Sequence, residues 1–289
     1  MSDITLINDS EQSSLVTNGL AKNGELYLKK AGSTDAGAIV VYDSGVWRTF
    51  ANEYSAGFSN TYSVDFDGTN DYMSIPDVAD FSLGDGAGTD NAFSISAWFN
   101  ADSIGTFHIA TKDGSGSGRE WAFRTVSSQL HFFAFGTGSG YIGRKYSTNL
   151  SIGQWYHAVM TYDASKASSG IKLYLNGARV DNGNYSSGTY TASRNSNTSL
   201  RVGAVQSNQT YSNGKIDEVA FFNTELSSSN VSSIYNSGVP ADISSFSPTG
   251  WWRMGDDDEG TGTTVTDQGS GSNNGTLTNG PTFSTDIPS

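Results

Sequence analysis

The chain has 289 residues, of which 34 are Gly and none Cys, with 16% charged and 12% aromatic residues and a net charge of −13. The lack of Cys excludes disulfide frameworks, thiolate–zinc sites and cysteine nucleophiles. The acidic balance, with no Lys/Arg cluster along the sequence, argues against nucleic acid and anionic membrane surfaces as partners, while it supplies carboxylates for an oxygen-seeking cation such as Ca²⁺. Abundant Gly, Ser, Thr and Asn beside many aromatics is the profile of short strands joined by turns, so the expected class is all-β.

The opening "MSDITLINDSEQSS" has neither a basic nor an apolar leader region, so no secretory signal is expected, and no apolar run approaches membrane-spanning length. Residues 1–23 read as a polar arm without periodicity. Residues 24–60 read as a small β-hairpin or meander in which Leu26 and Leu28, Ile39 and Val41, then Val46 alternate, with Asp43-Ser44-Gly45 as a tight connection. So small a sheet must lean on the main domain or on another chain.

From Tyr62 onward strand signals follow one another. "YSVDFDG" sets Tyr62, Val64 and Phe66 on one face, and "FSISAWFNA" sets Phe93, Ile95, Ala97 and Phe99 opposite Ser94, Ser96 and Trp98. "WYHAVMTYD", "GIKLYLNGARVDN", "SLRVGAV" and "KIDEVAFFN" continue the pattern, and Asn176-Gly177 is a type I′ hairpin signal. "LSSSNVSSIYNSG" predicts one short helix with Ser caps, Val231 and Ile234 three apart, and Gly238 as its stop. Many short strands and one helix predict a sandwich of two antiparallel sheets.

Four segments carry a family resemblance: "SVDFDGTNDYMSIP", "FSISAWFNAD", "GQWYHAVMTYDASKASSGIKLYLNGARVDN" and "GKIDEVAFFNTELSSSNVSSIYNSG". Together they resemble the laminin-G-like, pentraxin-like branch of the concanavalin A-like lectin/glucanase superfamily. The resemblance implies a jelly-roll over residues 61–245, used for binding glycans or proteins, with Ca²⁺ often held at one rim. The family's opening segment is similar to "GWWRMGDDDEGTGTTVTDQGSGSNNGTL", which here lies within the last stretch, residues 246–289. That order implies a circular permutation, the segment completing its own sandwich, or alternatively donation of the segment to a neighbouring subunit of a homo-oligomer.

The glucanase relatives need two carboxylates about the glycosidic bond. Their E-x-D-x-x-E pattern is absent, and strand alternation puts Asp217 and Glu218 on opposite faces, so no catalytic residue and no enzyme activity is expected. His108, His131 and His157 read as structural hydrogen-bonders. For Ca²⁺, the resemblance points to Asp217 with one or more of Asp67, Asp258 and Asp267. For a glycan, Trp121 and Arg119 in "GREWAFRT" and Tyr141 and Arg144 in "GTGSGYIGRKY" offer stacking and polar groups. The alternative is that Trp121 and Phe123 pack into the core with Phe132. "QLHFFAFG" is apolar on both faces and reads as a strand covered on both sides, by the N-terminal meander or by another subunit.

The N-terminal meander, the permuted jelly-roll and the missing leader resemble arrangements in tailed-phage virion proteins. That resemblance implies display on a virion surface, docking to other virion proteins through the N-terminal arm and meander, and adhesion to host glycans. A bacterial carbohydrate-binding or adhesin module is the other expectation.

Overall fold

The computed structural model describes residues 58–207 and 209–289 and, before them, the backbone of four strands. Chain contacts divide the protein into two units, Met1–Ser59 and Asn60–Ser289.

In the first unit, β1 (Thr5–Ile7), β2 (Leu26–Lys29), β3 (Ile39–Asp43) and β4 (Val46–Ala51) form a sheet in that order. β2, β3 and β4 are an antiparallel meander, and the pairing of Asp43 with Val46 leaves only Ser44-Gly45 between them. β1 pairs parallel to β2. The stretch expected to be only a polar arm therefore holds a strand; three residues, Thr-Leu-Ile, are too few to show a period of two.

The second unit is an all-β sandwich with one short helix. One sheet contains β6 (Tyr72–Ile75), β8 (His108–Asp113), β9 (Arg119–Val126), β10 (Gln129–Phe135), β11 (Tyr141–Lys145), β15 (Gly183–Asn184), β16 (Leu200–Val202), β21 (Thr264–Val265) and β22 (Gly275–Thr278), ordered β15-β11-β10-β9-β8-β16-β6-β22-β21. The other contains β5 (Ser63–Asp67), β7 (Phe93–Ala101), β12 (Trp155–Tyr162), β13 (Ile171–Leu175), β14 (Ala178–Arg179), β19 (Asn213–Phe222), β20 (Gly250–Trp252) and β23 (Thr282–Ser284). Its order is β14-β13-β12-β7-β19-β5-β23, with β20 also on β19. A small ribbon of β17 (Ala204–Val205) and β18 (Thr210–Tyr211) lies apart from both. All pairs within the two large sheets are antiparallel, as short strands joined by tight turns favour.

Alternation packs the interior: Val64 and Phe66, Phe93, Ile95, Ala97 and Phe99, Trp121 and Phe123, and Leu130 and Phe132 all enter one core cluster. The Asn176-Gly177 turn has both residues at positive φ, 50° and 77°, as a type I′ turn requires.

The final segment returns to its own sandwich. β20 pairs with β19, β22 with β6 and β23 with β5, so it adds strands to both sheets. Trp252 fills the core against Phe81 and Phe221, each with ring centroids 5.7 Å away, and its indole N–H donates to the Asn273 carbonyl at 3.0 Å.

The helix α1 (Ser228–Tyr235) begins at Ser227, whose hydroxyl accepts from the Asn230 N–H. It ends at Asn236, in the left-handed conformation at φ 46°, and not at the expected Gly238, which closes a following 3-10 turn. Asn tolerates this conformation almost as Gly does. Val231 and Ile234 are buried, and Tyr235 stacks against Trp98 and His157 on the outer face of the β7–β12 sheet. This covering explains why all nine residues of β7 are buried although their side chains alternate.

Candidate functional site

Two clusters of functional groups face outward from the sheets, one closed and one open. The closed one lies on β19. A bulge there sets Asp217 opposite Trp98 but Ala220 opposite Ser96, three residues against two, with Glu218 at φ 47°. The extra residue cancels one step of alternation: Ile216 and Val219 enter the core, and Asp217 and Glu218 both lie on the outer side. The expectation of opposite faces is thus corrected.

Both carboxylates are buried. Asp217 accepts from the Asn60 side chain and the Glu218 N–H, each at 2.8 Å. Glu218 accepts from the Trp251 indole at 2.5 Å and from Arg253 at 3.1 Å, and Arg253 also reaches Asp256. Burial pushes the Glu218 carboxyl up to about 7 against the pull of Arg253, and burial together with the Glu218 charge raises Asp217 well above the ordinary range. Paired carboxylates of raised pKa are what acid–base chemistry uses, and here both are buried behind the sheet's covering segments. The void beside Glu218, lined by Ser96, Trp98, Ile234, Pro240 and Ile243, is only ≈ 10 Å³, about one water probe.

The open cluster lies on the outer face of β9, β10 and β11. In β10, Leu130, Phe132 and Ala134 point to the core, so His131, Phe133 and Phe135 point out. Registers with β9 and β11 set Tyr141 beside Phe135 and Arg124 beside His131. The segment that carries Tyr185 pairs along β11, its N–H donating to the Gly143 carbonyl at 3.0 Å. This needs Gly143, because a Cβ there would sit 2.5 Å from the Tyr185 carbonyl oxygen. Four rings result: Phe133 and Phe135 have centroids 5.3 Å apart, Phe135 and Tyr141 5.8 Å, Tyr141 and Tyr185 5.6 Å. Arg119 lies 3.9 Å over Phe135 and Arg124 4.9 Å over Phe133. Together they line a shallow recess of ≈ 180 Å³.

Of the four residues expected at a glycan site, the structure brings together Arg119 and Tyr141. Trp121 is corrected: it is wholly buried, its indole donating to the Phe81 carbonyl at 2.8 Å, and faces no ligand. Arg144 is three residues from Tyr141 on one strand and so points to the other side, where it holds Asp181 at 2.6 Å. Phe133, Phe135, Arg124 and Tyr185 are site residues that sequence reasoning missed. The doubly apolar character of "QLHFFAF" was their signal. Tyr185 and the two arginines pack on that second face.

The four aspartates proposed for Ca²⁺ each serve a different stretch of chain. Asp67 accepts from the Thr69 N–H at 2.7 Å in the turn after β5, and these backbone donors hold its carboxyl below the usual range. Asp258 accepts from the N–H and hydroxyl of Thr266 at 2.9 and 2.6 Å. Asp267 accepts from the N–H groups of Trp251, Gly269 and Asn273 at 2.7 to 2.8 Å, ordering the loop after β20. Asp217 is buried beside Asn60. Among the described residues, no three His, Asp or Glu side chains gather as ligands of one metal ion. Two of the histidines are structural hydrogen-bonders, His157, wholly buried and bonded to Ser96 at 2.8 Å, and His108, bonded to Thr210 at 2.9 Å, whereas both ring nitrogens of His131 are buried without a partner.

The family model for the concanavalin A-like lectin/glucanases superfamily matches residues 67–232. The chain belongs to that superfamily. Among solved structures of this superfamily's fold, a Bacteroides ovatus ATCC 8483 protein whose name proposes carbohydrate binding is 18% identical, with a TM-score of 0.58, covering 92% of this chain and 71% of that one. A heptameric SAP-like pentraxin from Limulus polyphemus is 14% identical, with a TM-score of 0.45 over 61% of this chain and 82% of that one. Domain 4 of AbnA, a GH43 extracellular arabinanase from Geobacillus stearothermophilus solved with arabinotriose, is 18% identical, with a TM-score of 0.38 over 53% of this chain and 70% of that one. A search of curated proteins by sequence finds no match.

Proposed function

We propose that the second unit is a non-catalytic carbohydrate-binding module whose site is the recess lined by Arg119, Arg124, Phe133, Phe135, Tyr141 and Tyr185. The observation that carries this reading is the cluster of four rings, Phe135, Tyr141 and Tyr185 partly exposed over a buried Phe133 and fringed by guanidinium groups. A sugar ring stacks its C–H face on an aromatic surface while its hydroxyls accept from nearby donors. The recess is smaller than the roughly 300–1,000 Å³ of clefts that enclose a ligand, which suits a surface platform. The name of the Bacteroides ovatus relative points the same way. Absence of catalysis is supported by the closure of the Asp217–Glu218 pair behind a void too small for substrate. Phe135→Ala removes the ring under Arg119 without touching the core, so glycan-array or calorimetric binding should weaken about tenfold or more while the melting temperature changes little. Unaltered binding by this variant refutes the assignment of the site.

The finer reading is that the module is displayed on a virion surface, docked to other virion proteins through the Met1–Ser59 unit. It is supported by the four strands of that unit forming a sheet of their own. Cryo-electron microscopy of the particle tests it; particles lacking the protein refute it and favour a bacterial adhesin.

A further inference from the structure

The surroundings of the recess carry a charge that the sequence hides. Across four neighbouring strands the registers align His108, Arg124, His131 and Lys145 in one row. Burial first, with neighbouring cations adding to it, pushes His131 down to about 4 and His108 to about 3, so both imidazoles are neutral at pH 7. The charge that remains comes from arginine and lysine. Arg119 is neutralised by Asp113, which it grips through two nitrogens at 2.8 and 3.2 Å. Arg194, 6.0 Å over the Phe135 ring, donates only to the carbonyls of Gly116, Gly136 and Gly138, which carry no compensating charge. Lys145 reaches the neutral Gln129 side chain at 3.5 Å.

Arg124 is the most exceptional. Its Nε is buried with no hydrogen-bond partner, and both ring nitrogens of the adjoining His131 are buried and unpartnered too. Among the described residues, Arg124, Lys145 and Arg194 form no ion pair. A half-buried guanidinium whose nearest carboxylate, Asp113, is already gripped by Arg119 and makes no ion pair with it is costly to keep, and a chain of net charge −13 has carboxylates to spare. The cost is offset where a ligand brings the anion, since a guanidinium recognises carboxylate and sulfate groups through paired hydrogen bonds.

We infer that the recess selects an anionic glycan, a uronate- or sulfate-bearing saccharide, whose charged group is read by Arg124 while its ring stacks on Phe135 and Tyr141. The inference rests on the recess being the carbohydrate site. The same rings and cations could in principle stack the bases of single-stranded nucleic acid, but the −13 net charge opposes a long polyanion.

The full chain is titrated calorimetrically with an oligogalacturonate, a sulfated galacto-oligosaccharide and a neutral galacto-oligosaccharide, at low and at high salt. At least one anionic probe should bind about tenfold tighter than the neutral one, with a preference that shrinks in salt, and which probe it is separates carboxylate from sulfate. Arg124→Gln should abolish the preference for the anionic probes over the neutral one, Arg124→Lys should retain part of it, and Phe135→Ala should weaken all probes. Equal binding of neutral and anionic probes, or a preference that survives Arg124→Gln, overturns the inference and leaves the carbohydrate site standing if Phe135→Ala still weakens binding. No binding of any probe, or indifference to Phe135→Ala, overturns both. Tighter binding of a single-stranded oligonucleotide than of every glycan also overturns the inference.

Discussion

Trp252→Ala tests whether the last segment closes its own sandwich. The side chain is wholly buried and lies between Phe81 and Phe221, with the indole N–H on the Asn273 carbonyl. Truncating a buried Trp costs about 3–5 kcal/mol in transfer and cavity terms. The freed Asn273 carbonyl belongs to an exposed stretch where water can replace the indole, so little is added. In a domain of this size each kcal/mol moves the melting temperature by about 2–4 °C, so a loss of about 4 kcal/mol predicts a fall of roughly 8–16 °C. Calorimetry at two protein concentrations a hundredfold apart is the assay. Because β20, β22 and β23 pair within the chain, the midpoints of wild type and variant should not depend on concentration. A fall of under about 3 °C, or a wild-type midpoint that rises with concentration as a strand-exchanged oligomer requires, would refute intramolecular closure.

Asp90→Asn should destabilise the second unit by about 2 kcal/mol in urea, because the Asp90 carboxylate accepts from Tyr162 and Tyr190 hydroxyls at 2.6 and 2.7 Å and from the Ser193 N–H at 2.7 Å, and bonds to a charged acceptor are worth about 1.5–3 kcal/mol each before rearrangement; an unchanged midpoint counts against it. Glu218 and the buried histidines pull the pH dependence of stability in opposite directions. Glu218 is raised by burial to about 7, so its contribution is full below the unfolded value near 4.5 and is lost as pH rises through 7. The three buried histidines are lowered, so theirs is full above 6.5 and is lost as pH falls from there towards about 3 to 4. Urea titrations across pH 5 to 8.5 check this, and Glu218→Gln, which removes the opposing loss, should make stability rise more steeply between pH 5 and 7; a variant whose profile there matches wild type sinks the assignment.

Strands were legible in the sequence where one face is apolar and the turn chemistry is explicit. "FSISAWFNA" shows its core face by alternation, and Asn176-Gly177 shows its turn because few other residue pairs accept two positive φ angles. The binding recess was harder to read for a related reason. β9 and β10 are joined through Ser127-Ser128, at φ 48° and 65°, a pair that gives no turn signal, so the register placing Arg124 beside His131 was invisible. In "QLHFFAF" both faces are apolar, and a period of two cannot say which is the core. Trp121 therefore looked as able to meet a ligand as Phe133, although only the second faces out. The Asp217–Glu218 pair was misplaced by the bulge, which one-residue alternation cannot anticipate and which no Gly or Pro announces.

Closure and binding are carried by opposite ends of the same sheet. The order β15-β11-β10-β9-β8-β16-β6-β22-β21 puts three strands, β8, β16 and β6, between the recess strand β9 and the returning strand β22. At the other sheet's edge, β23 pairs Ser284 with Ser63, and the Ser63 hydroxyl donates to the Asp286 carbonyl at 2.8 Å, so the unit begins and ends at one place. Adjacent ends are what a sandwich needs if its first segment is to be moved to the end of the chain without altering the core. The unit follows another element, Met1–Ser59, in the chain, and its recess strands Arg119–Lys145 are contiguous. A variant that loosens the closing segment should therefore lose stability long before it loses the ligand, provided binding is measured below its melting temperature.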